Sequence, residues 1–134
     1  MCMKISTKGR YGLRIMLDLA SAGGVVAIRD ISERQGISIK YTEQIAGMLV
    51  RCGLVRSVRG PQGGYSLVKP AENYTVCEIL EKCEGDLAPV ECVTTAECSR
   101  AENCATQKLW SGLYAHITQY LGGITLQNLV DGNF

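Results

Sequence analysis

The stretch Ile28-Arg29-Asp30-Ile31-Ser32-Glu33-Arg34-Gln35-Gly36-Ile37-Ser38-Ile39-Lys40-Tyr41-Thr42-Glu43-Gln44-Ile45-Ala46-Gly47-Met48 decides the fold of this chain. A short amphipathic run from Ile28 to Gln35 stops at Gly36, and a second begins after Ser38. In the second, Tyr41, Ile45, Met48, Leu49 and Cys52 recur three or four residues apart, which predicts one apolar stripe along a helix. Ser38 is placed to cap that helix, because its hydroxyl can accept from an otherwise unpaired first-turn amide. Two helices of this size joined by a tight, Gly-containing turn form the helix-turn-helix pattern. There the second helix lies in the DNA major groove and presents its N-terminal residues to the base edges. Any small helical hairpin would satisfy the same pattern, so the flanking residues have to decide.

Downstream, Val55-Arg56-Ser57-Val58-Arg59-Gly60-Pro61-Gln62-Gly63-Gly64-Tyr65-Ser66-Leu67-Val68 reads as two short alternating strands around a Gly/Pro turn. A β-hairpin straight after the second helix is the wing of a winged helix-turn-helix. Arg56 and Arg59 are expected to flank its tip, where guanidinium groups suit phosphate or a narrow minor groove. Ser57, Gly60, Gln62 and Gly63 join them as expected wing contacts. The fold class that follows is mainly α with a small β-hairpin wing: a winged helix-turn-helix domain plus a long C-terminal dimerisation helix.

Charge divides the 134 residues in two. Residues 1–70 hold eleven Lys/Arg against four acids, a net of +7, whereas residues 71–134 hold three bases against nine acids, a net of −6. The basic half carries the helix-turn-helix and would attract a polyanion; the acidic half would not. No apolar run is long enough to span a bilayer, and the N-terminus lacks the apolar segment of a signal peptide, so no membrane partner is expected. Seven cysteines could suggest a secreted disulfide scaffold. Their odd number, the missing signal peptide and the helical patterning argue instead for a reducing cytoplasm.

Upstream, Met3-Lys4-Ile5-Ser6-Thr7-Lys8-Gly9-Arg10-Tyr11-Gly12 leads into a first helix with Tyr11, Ile15 and Leu19 on one stripe, Ser6 or Thr7 as cap and Gly23-Gly24 as its end. Its charged opening, Lys4, Lys8 and Arg10 with Thr7 and Tyr11, reads either as a solvated face or as phosphate contacts. Arg29, at the start of the next helix, joins that group. After Lys69-Pro70, Thr75 opens a helix over Val76–Lys82. Residues 83–107 show no period and carry Cys92, Cys98 and Cys104. A last long helix begins near Lys108, with Leu109, Leu113, Ile117 and Leu121 at four-residue spacing and Trp110 and Tyr114 beside them. Its apolar face is wider than its own domain needs, so it reads as a dimer helix; DNA readers with one recognition helix per chain usually pair two-fold. Gly122-Gly123 ends it, and residues 124–130 close the chain with a short helical turn. The domain reading is therefore 1–82 for DNA binding, 83–107 for the cysteine loop, and 108–134 for the dimerisation helix and C-terminal segment.

Cys92, Cys98 and Cys104 fall at equal steps of six, and a thiolate trio on one loop can converge on a soft metal centre. Structural zinc more often uses closely spaced pairs, whereas iron–sulfur clusters take cysteine ligands, sometimes with a nitrogen ligand replacing one. Free thiols or a disulfide switch are the alternative. Cys52 and Cys77 lie on apolar stripes and read as buried small hydrophobes.

The residues 3–12 above, Ile31-Ser32-Glu33-Arg34-Gln35-Gly36-Ile37-Ser38, Glu43-Gln44, Val58-Arg59-Gly60-Pro61 and Gly63-Gly64-Tyr65 resemble the Rrf family of bacterial winged-helix regulators. The cysteine loop before Leu109-Trp110, and Ile124-Thr125-Leu126, resemble its iron–sulfur members in particular. The resemblance covers almost the whole chain. It implies a homodimeric transcription factor that binds double-stranded DNA operators, carries a [2Fe–2S] cluster and represses cluster-assembly genes, with cluster assembly proteins as further partners. By the same resemblance Cys92, Cys98 and Cys104 are ligands. Ser38, Ile39, Lys40, Tyr41, Thr42, Glu43 and Gln44 face the major groove, and Arg59 with its neighbours enters the minor groove. Glu43 matches an acidic residue that disfavours one operator class in cluster-free relatives. A carboxylate there would accept from cytosine N4 and repel phosphate.

One position departs from the resemblance. The iron–sulfur members carry a histidine three residues after the third cysteine, and here that place is Gln107. A neutral amide oxygen is a poor ligand for iron held by thiolates. His116, the single histidine, lies nine residues on, about 13.5 Å along a helix and on its opposite face. Glu97, Glu102, water or a residue of a second chain remain as fourth ligand; the nitric-oxide-sensing relatives use an acid near the partner's N-terminus, where Lys8 stands here. Competing readings are a family regulator of cysteine metabolism or of nitric oxide and redox stress, and a zinc or thiol-switch protein-interaction module. An enzyme is not expected, since the chain has no phosphate loop, nucleophile elbow or HExxH motif.

Overall fold

The computed structural model describes residues 5–85, 87–89 and 105–134. In chain order these form α1 (Thr7–Ala22), α2 (Ile28–Gln35), α3 (Ile39–Arg51), β1 (Val55–Val58), β2 (Gly64–Leu67), a 3₁₀ turn (Ala71–Asn73), α4 (Val76–Glu84), α5 (Ala105–Gly122) and α6 (Leu126–Asp131). The caps explain where the helices start. The Ser6 hydroxyl accepts from the Gly9 amide at 3.2 Å, Ser38 from Tyr41 at 3.1 Å and Thr75 from Glu78 at 3.0 Å. Each satisfies one of the first-turn amides that a helix leaves without an internal partner. Gly23 and Gly36 stop α1 and α2 in the left-handed region, at φ 75° and 65°, where a side chain would be strained.

The core sits where α1, α2, α3, the hairpin, α4 and α6 converge. Ile15, Met16, Leu19, Ile31, Leu49, Leu54, Tyr74, Ile79 and Leu126 lose essentially all solvent contact. Removing such side chains from water is the main favourable term holding the domain together, about 1.5–3 kcal/mol for each large one. Tyr74 adds a polar tie. Its hydroxyl donates to the Leu54 carbonyl at 2.7 Å and accepts from the Val68 and Lys69 amides at 3.0 and 3.2 Å, fastening the base of the hairpin to the end of the α3 segment.

β1 and β2 pair antiparallel, from Val55 with Leu67 to Val58 with Gly64. The hairpin is pinned to the body because Val26 and Tyr65 exchange backbone hydrogen bonds, each of 2.9 Å. Gly64 makes that approach possible: a Cβ there would lie 2.0 Å from the Val26 carbonyl oxygen.

Several segments extend beyond the sequence-based boundaries. α4 continues to Glu84, with Cys83 buried in the core, and α5 already includes Ala105–Gln107. Residues assigned to the loop at both its ends are thus helical. α6 returns to the first domain, where Leu126 is fully buried and its amide donates to the Tyr74 carbonyl at 3.0 Å, while the Val76 amide donates to Ile124 at 2.9 Å. The C-terminal segment therefore completes the winged-helix core. Cys52 and Cys77 are half-buried rather than buried, and their thiols face the Lys82 carbonyl and the Glu81 carboxylate.

Candidate nucleic-acid interface

α3 has two unlike sides. Thr42, Ile45, Ala46, Met48 and Leu49 are buried. Ile39, Lys40, Glu43 and Gln44 are exposed, in two pairs spaced by four residues, so they stand as neighbouring rows on the outer surface of the first two turns. Those turns are the ones a recognition helix brings to base edges. Ser38 is exposed at the helix start.

Two of the sequence-predicted contacts in α3 have other work. Thr42 is fully buried, and its hydroxyl donates to the Ser38 carbonyl at 2.8 Å, so it stabilises the start of α3 from the core side and does not reach a base. Tyr41 is half-buried and meets Tyr11 edge to face, with ring centroids 5.7 Å apart, while the Arg14 guanidinium lies 4.8 Å from the Tyr11 ring centre. These two tyrosines lock α1 against the first turn of α3, since edge-to-face rings and a stacked cation both favour that arrangement.

Further exposed basic groups lie on the elements that contact α3 and on the hairpin. Thr7, Lys8 and Arg10 are exposed in the first turn of α1, and Arg29 is exposed in the first turn of α2. Arg59, Gly60 and Gln62 are exposed at the wing tip, Gly63 is half-buried there, and Ser57 is exposed on β1. Arg56 is not at the tip. It faces Ser66 near the base of the hairpin and donates to the Val68 carbonyl at 3.0 Å, which leaves Arg59 as the tip's guanidinium. Lys4, Cys92, Cys98 and Cys104 lie outside the described residues.

Sequence reasoning missed the polar joint that holds the helix-turn-helix on α1. Asp18 is buried, and its carboxylate accepts from Arg34 at 2.7 and 3.0 Å and from the Gln35 amide at 2.9 Å. Burial alone would raise its pKa, but the Arg34 and Gln35 hydrogen bonds together outweigh that and hold the carboxyl below its ordinary value. Arg14 donates to the Gln35 side chain and backbone carbonyl at 2.9 and 3.1 Å. An acid set between the apolar Leu17 and Leu19, four residues after Arg14, was the available signal. A second joint is the Glu84 carboxylate, which accepts from the backbone amide of Ser6 at 3.0 Å and from its hydroxyl. Gly9 leaves room for it, because a Cβ there would fall 2.0 Å from Glu84 Oε1.

α5 contrasts with the rest, since none of its residues is buried. Ile117 and Leu121 rest partly on Val76, Leu80 and Ile124, whereas Leu109, Leu113 and Tyr120 are 60%, 37% and 64% exposed. Gln107 is half-buried in the first turn and His116 is exposed further along. Among the described residues no three His, Cys, Asp or Glu side chains gather as a metal site. No described helix is long and apolar enough to cross a membrane.

Residues 5–132 match the Rrf2 family, described as an iron-dependent transcriptional regulator. The chain is 42% identical over 131 residues to the HTH-type transcriptional regulator IscR of Escherichia coli, covering 96% of this chain and 81% of that protein. Among solved structures it is similar to CymR, the global cysteine regulator of B. subtilis, with a TM-score of 0.79, 35% identity and 96% of each chain covered. It is also similar to T. potens IscR, with a TM-score of 0.76, 36% identity and coverage of 98% of this chain and 88% of that one. With the winged-helix core and the outward row on α3 in place, these likenesses fix the assignment: the chain belongs to the Rrf2 family of transcriptional regulators.

Proposed function

We propose that this protein is an iron–sulfur-cluster-responsive repressor that binds operator DNA as a homodimer and controls cluster-assembly genes. The observation that carries the cluster reading is the trio Cys92, Cys98 and Cys104 at equal spacing, just before α5, in a chain 42% identical to a regulator named IscR. Thiolate donors suit iron, and with three of them the donor set lacks one protein ligand for a four-cysteine site. The helical span of α5 supports setting His116 aside as the fourth ligand: nine residues from Gln107, it is about 13.5 Å away along the axis. When bound, a cluster would supply a charge and redox state that the protein can sense. The chain's own residues do the DNA work. Lys8, Arg10, Arg29 and Arg59 offer cations to phosphate or the minor groove, and Ser38, Lys40, Glu43 and Gln44 offer donors and acceptors to the major groove. The exposed stripe Leu109, Leu113 and Tyr120 on α5 is where a second copy would pack.

Anaerobic purification followed by visible absorption, iron and acid-labile sulfide analysis tests the reading. Brown protein with equal iron and sulfide is expected. Cys98→Ala should abolish iron binding, Gln107→Ala should leave the cluster close to the parent's, and Gln107→His should slow its loss in air. A cluster lost as completely in Gln107→Ala as in Cys98→Ala would make Gln107 itself a ligand.

A second reading, a cluster-free regulator of cysteine metabolism, is favoured by Gln107 and by the likeness to CymR. Colourless protein without iron or sulfide after anaerobic purification, still binding DNA, would select it. Zinc in that protein would instead favour a zinc site on the cysteine loop.

A further inference from the structure

The outer row of α3 contains one residue with no polar group. Ile39 is 48% exposed and is not part of either cluster of buried residues in the described core. It occupies the first position of the helix, directly after the Ser38 cap, and lies one turn before Glu43 on the same side. Its neighbours on that surface, Lys40, Glu43 and Gln44, all carry hydrogen-bonding groups. A large branched hydrocarbon half in water among them lies outside the packing that anchors α3, whose inward positions are filled by Thr42, Ile45, Ala46, Met48 and Leu49.

Resting on the DNA-binding reading, we infer that Ile39 is a specificity-determining residue that recognises the 5-methyl group of a thymine in the major groove. The four base-pair orientations differ there in donors and acceptors, and thymine alone adds an apolar group. A side chain with no donor or acceptor can gain from that edge by excluding water, while it would strip water from the polar edge of any other base without replacing the lost hydrogen bonds. Lys40 and Gln44, paired one turn apart beside Ile39, supply the polar contacts to adjoining bases, so the thymine would sit at one edge of the half-site that α3 reads.

The test uses the full-length protein and a duplex that it selects from a random pool. Each thymine is then replaced in turn by deoxyuridine, which deletes only the methyl group, and binding is measured at one fixed salt concentration. At one thymine in each half-site the replacement should weaken binding about three- to fivefold, the value of one buried methyl-sized group. In Ile39→Ser the same replacement should cost nothing, and affinity for the thymine duplex should fall by a similar factor. Ile39→Val, which keeps the branched carbon, should retain the penalty. The inference is overturned if no thymine is methyl-sensitive, or if Ile39→Ser remains as sensitive as the parent. A pool that yields no enriched sequence overturns the DNA-binding reading itself, and this inference with it.

Discussion

α3 and α5 are both amphipathic helices with an unpaired side, yet the unpaired sides are chemically opposite. α3 is anchored through buried residues along its whole length and turns Lys40, Glu43 and Gln44 outward, groups that water satisfies. α5 buries nothing completely and turns Leu109, Leu113 and Tyr120 outward, groups that water does not satisfy. A polar exposed row is stable alone and selective in what it accepts. An apolar exposed stripe is a standing cost of the isolated chain, removed when another apolar surface covers it. The two exposed sides thus suit partners of different kinds, one of polar and charged groups and one of apolar surface.

Breaking the anchored helix from within should have the largest effect. Leu49 is fully buried beneath α3, and Leu49→Ala is expected to lose about 2–5 kcal/mol of stability in chemical denaturation, a large share of what holds a domain of this size. Charging the unanchored helix should act on association and not on folding. Leu109→Asp combined with Leu113→Asp should give a monomer in sedimentation with its far-ultraviolet helical signal retained. Operator affinity should then fall on the order of a hundredfold, because two half-sites would no longer be engaged together. A double variant that remains dimeric would remove the role given to the α5 stripe.

A smaller effect belongs to the wing. Arg59→Ala should cost about 1–3 kcal/mol of operator binding and leave the melting temperature nearly unchanged, since Arg59 is exposed at the tip. Unchanged affinity at fixed salt would exclude it from the interface. The smallest effect at neutral pH, visible on acidification, concerns the joint beneath the helix-turn-helix. The folded pKa of Asp18 is lowered, so its contribution is fully present above the unfolded carboxyl value of about 3.9 and is lost as pH falls through the folded value. Melting curves of the parent and of Asp18→Asn should therefore differ near neutrality and converge in acid below about pH 4. Parallel curves across that range would mean that the ion pair with Arg34 does not stabilise the fold.

What the sequence determined by itself was local. Ser38 before an apolar period of three to four, Gly36 between two short helices, and alternating strands around Gly60-Pro61 are signals carried within a few residues, because caps, turns and strand alternation depend on neighbours in the chain. The tertiary structure decided what those signals could not contain. Thr42 and Glu43 are adjacent polar residues, but only the packing of α3 on α1 turns one inward and the other outward. Arg56 and Arg59 looked equivalent until the hairpin register placed one near its base and the other at its tip. The burial of Leu126 in the first domain and the seating of Glu84 over Gly9 depend on residues more than fifty positions away, a distance at which no periodicity in the chain carries information.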